Sequence, residues 1–372
     1  MNLIKSFIKK RPIIFFIIIF LIFFIFINKL SKNFLQQTKL EKRKVPEYIE
    51  QVYGKKNVED YQKVLLEQTA LLKYKQFVEF IEQERLGEFT SVSSMGNRCN
   101  YNGLSKCKTP DGGKNEIWLF GGSTTFGYGV KNDETISAYL EKLFDKKYRV
   151  INFGSALYYS TQERILFNNL LTKLPAPYAI VFIDGFNEFA KGYAFDETAF
   201  TKNIKYKMSR RSKDAFIDFL KERFYRLNII RLINEMQSKK KINKKLNYNL
   251  NLNEKEMSKM VNTLINNQKI TKAISEKYQI KLINILQPVP IYDDSYASSN
   301  LPKDFLRDVD TDPALKNVKL GYEFYLSKNL ELAVNLSDLK ISKPMYIDNV
   351  HYSPEFSLTI AKAIKKKLES EN

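Results

Sequence analysis

Histidine occurs once in this 372-residue chain, at position 351, three residues after Asp348 and just before Tyr352-Ser353-Pro354. That spacing lets the aspartate carboxylate turn back onto one imidazole nitrogen and select the tautomer. The other nitrogen is then free to act as a general base. Ser353 at an N-cap and Pro354 at the first helical position start a helix that fixes the ring from behind. A base needs a nucleophile, and the best-placed hydroxyl lies in Ile117-Trp118-Leu119-Phe120-Gly121-Gly122-Ser123-Thr124-Thr125. A serine hydroxyl is weak until a neighbouring base takes its proton. Thr124 and Thr125 compete, but Ser123 follows the two glycines directly. Each feature alone has a plain alternative: a Gly-rich turn without chemistry, and an Asp-Asn-Val-His turn without a role.

Attack by such a serine on an ester carbonyl creates an oxyanion, which needs preorganised N–H donors. Two further segments offer them. One is Asn152-Phe153-Gly154-Ser155-Ala156-Leu157, and the other is Gly185-Phe186-Asn187-Glu188, whose Asn187 amide can donate.

These residues need elements to hold them, and the chain has the rhythm for it. Glu116–Phe120 reads as a buried strand ending in a Gly-Gly turn. A helix over 133–146, a strand over 149–153, a helix over 160–174 closed by Pro175 and Pro177, and a strand over 178–183 follow. Alternation of this kind indicates an α/β fold with a mostly parallel sheet covered on both faces. A helix near 254–277, a strand over 279–286 and a last helix with Phe356, Ile360, Ile364 and Leu368 on one stripe complete the pattern. Ser123, Gly154 and Asn187 then all fall near strand ends, where open α/β sheets carry their sites. Upstream, the apolar residues Tyr61, Leu65, Leu72, Phe77, Phe80 and Ile81 predict one long amphipathic helix, or two, between 58 and 84.

Four separated blocks together resemble the SGNH (GDSL-like) hydrolase superfamily. Gly121-Gly122-Ser123-Thr124 is similar to its nucleophile block, and Asn152-Phe153-Gly154 to its glycine block. Gly185-Phe186-Asn187-Glu188 is similar to its Gly-x-Asn-Asp block, and Asp348-Asn349-Val350-His351 to its Asp-x-x-His block. The resemblance covers about residues 115–187, 279–286 and 346–368. It implies a three-layer α/β/α fold with a parallel, flavodoxin-like sheet. It also implies Ser123 as nucleophile, His351 as base, Asp348 as its orienter and Asn187 as an oxyanion donor, with no cofactor. Two positions depart from the pattern. Glu188 stands where the family usually has Asp, and Leu157 stands where its oxyanion glycine usually lies. Leu157 and Gly154 are both candidates for the second donor. The implied activity is that of a serine esterase or an O-acyltransferase, with an acylated cell-envelope glycan or lipid as substrate. The rival expectation is a non-catalytic envelope protein that binds a glycan or a partner through a basic insertion.

The rest of the chain sets the context. Residues 12–28 carry no charge and are almost all Ile, Phe and Leu. As a helix they span about 25 Å, near the ~30 Å of a hydrocarbon core. Basic residues precede them, and no small-residue cleavage site follows. The expectation is a basic N-terminus (1–11), an uncleaved single-pass anchor (12–28), a stalk (29–56), a helical and cysteine-loop region (57–114), and a hydrolase-like domain (115–372). That last domain carries a basic helical insertion at about 190–253. Lys and Arg flank the anchor on both sides, so the positive-inside count does not orient it. Cys99 and Cys107, the only two cysteines, are expected to form a local disulfide, with free thiols as the alternative. A disulfide implies an oxidising compartment. With the terminal anchor, it places the domain outside the cytoplasm of a bacterial inner membrane. Two cysteines and one histidine do not make up a zinc site. The net charge of +19 includes ten Lys/Arg against one Glu in residues 1–44. Neither a basic face nor a known motif points to nucleic acid. Oligomeric state is not legible.

Overall fold

The structure, a computed structural model, describes residues 20–31, 49–54, 57–68, 72–103, 107–190, 252–290, 312–328, 331–337, 345–348 and 350–370, with single positions 13, 14, 17, 45, 227, 230 and 339. The basic N-terminus, most of the expected stalk and nearly all of the expected insertion lie outside them. Two units divide the chain: residues 1–44 with 206–248, and residues 45–205 with 249–372.

Within the larger unit the elements follow in order. They are α1 (Ile49–Tyr53), α2 (Val58–Glu67), a hairpin of β1 (Leu72–Lys75) and β2 (Glu79–Glu82), β3 (Glu116–Gly121), α3 (Ser123–Phe126), α4 (Ile136–Leu143) and β4 (Arg149–Asn152). Then come α5 (Ser160–Leu171), β5 (Ala179–Asp184), α6 (Phe186–Ala190), α7 (Glu254–Lys277), β6 (Lys281–Leu286), α8 (Pro313–Leu326), β7 (Val334–Asn335) and α9 (Pro354–Ser370). Five strands form one sheet in the order β4-β3-β5-β6-β7, and every pair is parallel. This is the doubly wound order with its switch point between the first and third strands, here β3 and β5. It is the α/β/α fold that the four blocks imply.

Alternation along β3 explains the two helix layers. Ile117 and Leu119 join Val181 and Ile183 of β5 against Ile136 and Leu140 of α4 and Phe356, Ile360 and Ile364 of α9. Trp118 and Phe120 point the other way, onto Phe153, Phe182 and Phe167 of α5. All of these are buried, each contributing roughly 1.5–3 kcal/mol by removal from water. A third cluster joins Met257, Val261 and Leu264 of α7 to Val318 and Tyr322 of α8 and Phe189 of α6.

Three expectations are corrected. The helix expected over 58–84 stops at Glu67, and an antiparallel hairpin follows, pairing Leu72 with Glu82 and Tyr74 with Phe80. No Gly or Pro stands between 55 and 86 to mark the break. Instead Phe77 and Glu79 turn the chain at positive φ, 70° each. The stalk ends earlier than residue 56, because Val45, Ile49, Val52 and Tyr53 recur at helical spacing and pack into the main core. The helix expected over 133–146 is a 3₁₀ turn (Asn132–Glu134) followed by α4. Its cap is Thr135, which accepts from the Ala138 N–H at 3.1 Å. Cys99 and Cys107 are paired as expected.

Among the described residues, no helix is long and apolar enough to cross a membrane. Residues 20–31 are helical, with Ile22, Phe23, Ile25 and Phe26 more than half exposed. The expected 12–28 span runs partly outside the described residues.

Candidate active site

Ser123 is the first residue of α3, at the carboxyl end of β3. Gly122 leaves room for the Asn187 side chain, because a Cβ there would sit 2.4 Å from its Nδ2. Its bare backbone brings an amide from the end of β5 to the side of the nucleophile. Thr124 and Thr125, the competing hydroxyls, are buried. Thr125 packs beneath Gly121. Only the Ser123 Oγ reaches His351.

The three expected residues meet. His351 Nε2 lies 2.8 Å from Ser123 Oγ, and His351 Nδ1 lies 2.7 Å from Asp348 Oδ2. The second oxygen, Asp348 Oδ1, accepts the backbone N–H groups of Val350 (2.9 Å) and His351 (2.8 Å). Burial pushes the Asp348 carboxyl up. The facing His351 ring, its hydrogen bond and those two N–H groups outweigh burial, so the carboxyl titrates below its ordinary value. An ionised carboxylate only accepts, so Nδ1 carries the proton. In the neutral ring Nε2 is then an acceptor, and the serine hydroxyl donates to it. The turn closes through Ile347 N–H to His351 O at 2.9 Å. Behind it, Ser353 caps α9 by accepting the Phe356 N–H at 3.2 Å.

The Asn187 Nδ2 donates one hydrogen to Tyr158 O at 2.8 Å. The Ser123 N–H stands at the start of α3, where it has no intrahelical acceptor, and Leu157 turns the chain at φ 71°. Gly154 is not an oxyanion donor. Its N–H goes to Asn152 Oδ1 at 2.9 Å, and a Cβ there would sit 2.2 Å from the Phe126 nitrogen. Its role is clearance behind the nucleophile turn. Asn152 pins that turn too, donating to Thr125 O at 2.8 Å and Ser137 Oγ at 3.0 Å. Glu188 is buried and accepts the Ser160 N–H at the start of α5.

Several supporting residues carry no signal in their own segments. Tyr128 packs its ring on His351, with centroids 4.6 Å apart. Arg98 is 1% exposed and donates to the carbonyls of Phe126 (2.7 Å), Gly127 and Val130 (2.6 Å). Gln68 donates to the same Gly127 and Val130 carbonyls, at 3.1 and 2.9 Å, and accepts the Gly129 N–H. The loop behind the nucleophile is thus held from the N-terminal region. Among the described residues, no group of three or more His, Cys, Asp or Glu is arranged to hold a metal ion.

No protein-family model and no curated protein matches the sequence. Solved structures do match in shape. A carbohydrate acetylesterase family member from Sinorhizobium meliloti is 13% identical, with 69% of this chain and 98% of that one covered and a TM-score of 0.34. A member of the lipolytic protein G-D-S-L family from Veillonella parvula DSM 2008 is 12% identical, with 67% and 96% covered and a TM-score of 0.34. At such scores the likeness carries no functional argument. What the chain itself holds is a parallel sheet with a serine–imidazole–carboxylate relay at its switch point.

Proposed function

We propose that this chain is a membrane-anchored serine esterase or O-acyltransferase that works through an acyl-enzyme. The observation that carries the reading is the continuous relay from Ser123 Oγ through His351 to Asp348, at 2.8 and 2.7 Å. His351 Nε2 takes the hydroxyl proton as Ser123 Oγ attacks the ester carbonyl. The oxyanion meets the Asn187 amide and the N–H groups beside it. The collapsing intermediate expels the alcohol, which leaves with the proton from His351. Water, or a second hydroxyl on an acceptor, then gives its proton to His351 and attacks the acyl-serine. The released acid or new ester restores Ser123. The substrate class is an O-acyl ester of a cell-envelope glycan or lipid.

The uncharged run at 12–28 supports anchoring, and the Cys99–Cys107 pairing supports a domain outside the cytoplasm. An intact relay favours catalysis over a glycan-binding role without chemistry. In p-nitrophenyl acetate assays, the full chain in detergent should turn over, and Ser123→Ala should fall by about 10³-fold or more. Equal rates in the two proteins would sink the enzyme reading. Adding a glycan acceptor separates transfer from hydrolysis: a new acylated product means transfer, and free acid alone means hydrolysis.

A further inference from the structure

Leu157 has a backbone conformation that a leucine rarely takes. Its φ is 71°, in the left-handed region. Tyr158 N–H bonds back to Ser155 O at 3.2 Å, so Ser155–Tyr158 is a four-residue turn with Ala156 and Leu157 at its centre. A positive φ at the third position is the type II pattern, which favours glycine there. The alternative, type I, asks nothing unusual of a leucine. The two types differ by a flip of the central peptide, and the N–H of that peptide belongs to Leu157. The turn type therefore decides where the Leu157 N–H points. The turn lies against the nucleophile: Ser155 N–H donates to Gly121 O at 3.1 Å, and Tyr158 O accepts from Asn187. Among the described residues, the Leu157 N–H meets no acceptor.

The N-terminal hairpin packs on this turn. Glu82, at the end of β2, is 1% exposed. Its Oε1 accepts the Ala156 N–H at 3.1 Å and the Ser155 hydroxyl at 3.4 Å. Its Oε2 is tied to Arg85 NH1 at 3.0 Å, and the Arg85 guanidinium lies over Phe126 at the end of α3. Two residues back along β2, Tyr158 OH donates to Phe80 O. The turn is thus gripped at its second and fourth residues by one short hairpin.

We propose that Glu82 is a positioning residue for the oxyanion site: it holds the Ser155–Tyr158 turn in the type II form, so that the Leu157 N–H faces the reacting carbonyl although the position is not a glycine. The hairpin supplies from outside the sheet what a glycine would supply from within the turn. This rests on the esterase or acyltransferase reading above.

The test is a double-mutant cycle on the full chain in detergent, read as kcat and KM for p-nitrophenyl acetate beside Ser123→Ala. Glu82→Ala should lower kcat by about tenfold or more, while KM moves by less than about twofold. Glu82→Gln keeps an acceptor oxygen and should retain most of kcat. Leu157→Gly should restore most of the lost kcat in the Glu82→Ala background, because glycine takes the left-handed conformation unaided. A purely structural role for Glu82 would give no rescue by Leu157→Gly. That result, or an unchanged kcat in Glu82→Ala, overturns the proposal. If the parent and Ser123→Ala do not differ, the enzyme reading fails instead. A crystal structure of Glu82→Ala still decides the positioning claim in that case: Leu157 leaving the left-handed region supports it, and Leu157 staying there overturns it.

Discussion

A catalytic hydroxyl must face its base on one side and leave its other side open to a carbonyl and to the donors that receive the resulting charge. Ser123 meets both conditions because Gly122 has no side chain. With a Cβ at that position, Asn187 Nδ2 would be displaced from 2.4 Å away. Asn187 has two amide hydrogens, and Tyr158 O takes one. Removing the other from the transition state should be costly. Asn187→Ala is expected to lower kcat by about 10²–10³ with little change in KM. Steady-state kinetics checks this, and a raised KM with kcat intact would make Asn187 a ground-state contact instead. Ser123, His351, Asp348 and Asn187 were legible in the sequence because each sits in a local punctuation: a Gly-Gly turn, an Asp-x-x-His turn before a capped helix, a strand ending in Gly. Tyr128 and Glu82 were not, because their partners are distant in sequence and their own neighbours give no pattern. Gly154, one of two candidates for the second donor, is a related case. Spacing put it near the site, but only the fold shows that Asn152 occupies its N–H.

Among the elements, those that carry the relay and those that support it come from different parts of the chain. The strands and most of the helices of the sheet were legible, because alternation and length separate buried strands from amphipathic helices. The hairpin was not: its apolar residues also fit a helical period, and its turn uses non-glycine residues at positive φ. The helix α8 went unread although Asp312 caps it and Pro313 opens it. It is the N-terminal region, with Arg98 next to Cys99 in the bridged loop, that grips the loop following α3. Taking away the Arg98 guanidinium would leave the buried Phe126 carbonyl without its side-chain donor and leave Gln68, among the described residues, as the one side-chain donor to Gly127 and Val130. Each such loss costs about 1–3 kcal/mol when no water can replace the donor. Arg98→Met is therefore expected to lower stability by about 2–4 kcal/mol. Urea denaturation should show a reduced midpoint at unchanged slope. An unshifted midpoint would mean that Gln68 alone suffices.

At the scale of the whole molecule, three buried carboxyls from three elements make folding sensitive to pH. Glu163 of α5, Asp184 at the end of β5 and Glu188 of α6 lie together at the carboxyl edge of the sheet. Apart from the neighbouring carboxyls, no N–H or O–H of a described residue is bonded to either Glu163 oxygen. Its bond is to the Asp184 carboxyl, which requires a proton between them. Burial is the main cause of the raised values. It lifts Asp184 to about 7 against the pull of the Glu163 bond. It also lifts Glu188 to about 8, with the Asp184 charge adding and the Ser160 bonds subtracting. Glu163 moves in the same direction. In the unfolded chain such carboxyls ionise near pH 4. Between about pH 4 and about 8 the unfolded chain has therefore lost protons that the folded chain keeps, so stability falls as pH rises. The Asp184 and Glu188 contributions are whole below about pH 4 and gone above about 8, the reverse of a carboxylate whose value is lowered, such as Asp348. The thermal midpoint should drop across pH 5 to 8. Glu163→Gln, whose amide can donate to an ionised Asp184, should flatten that slope and raise the midpoint at pH 8 by about 4 °C or more. Scanning calorimetry at pH 5, 6.5 and 8 checks both, and parallel slopes in the two proteins would place the pH sensitivity elsewhere.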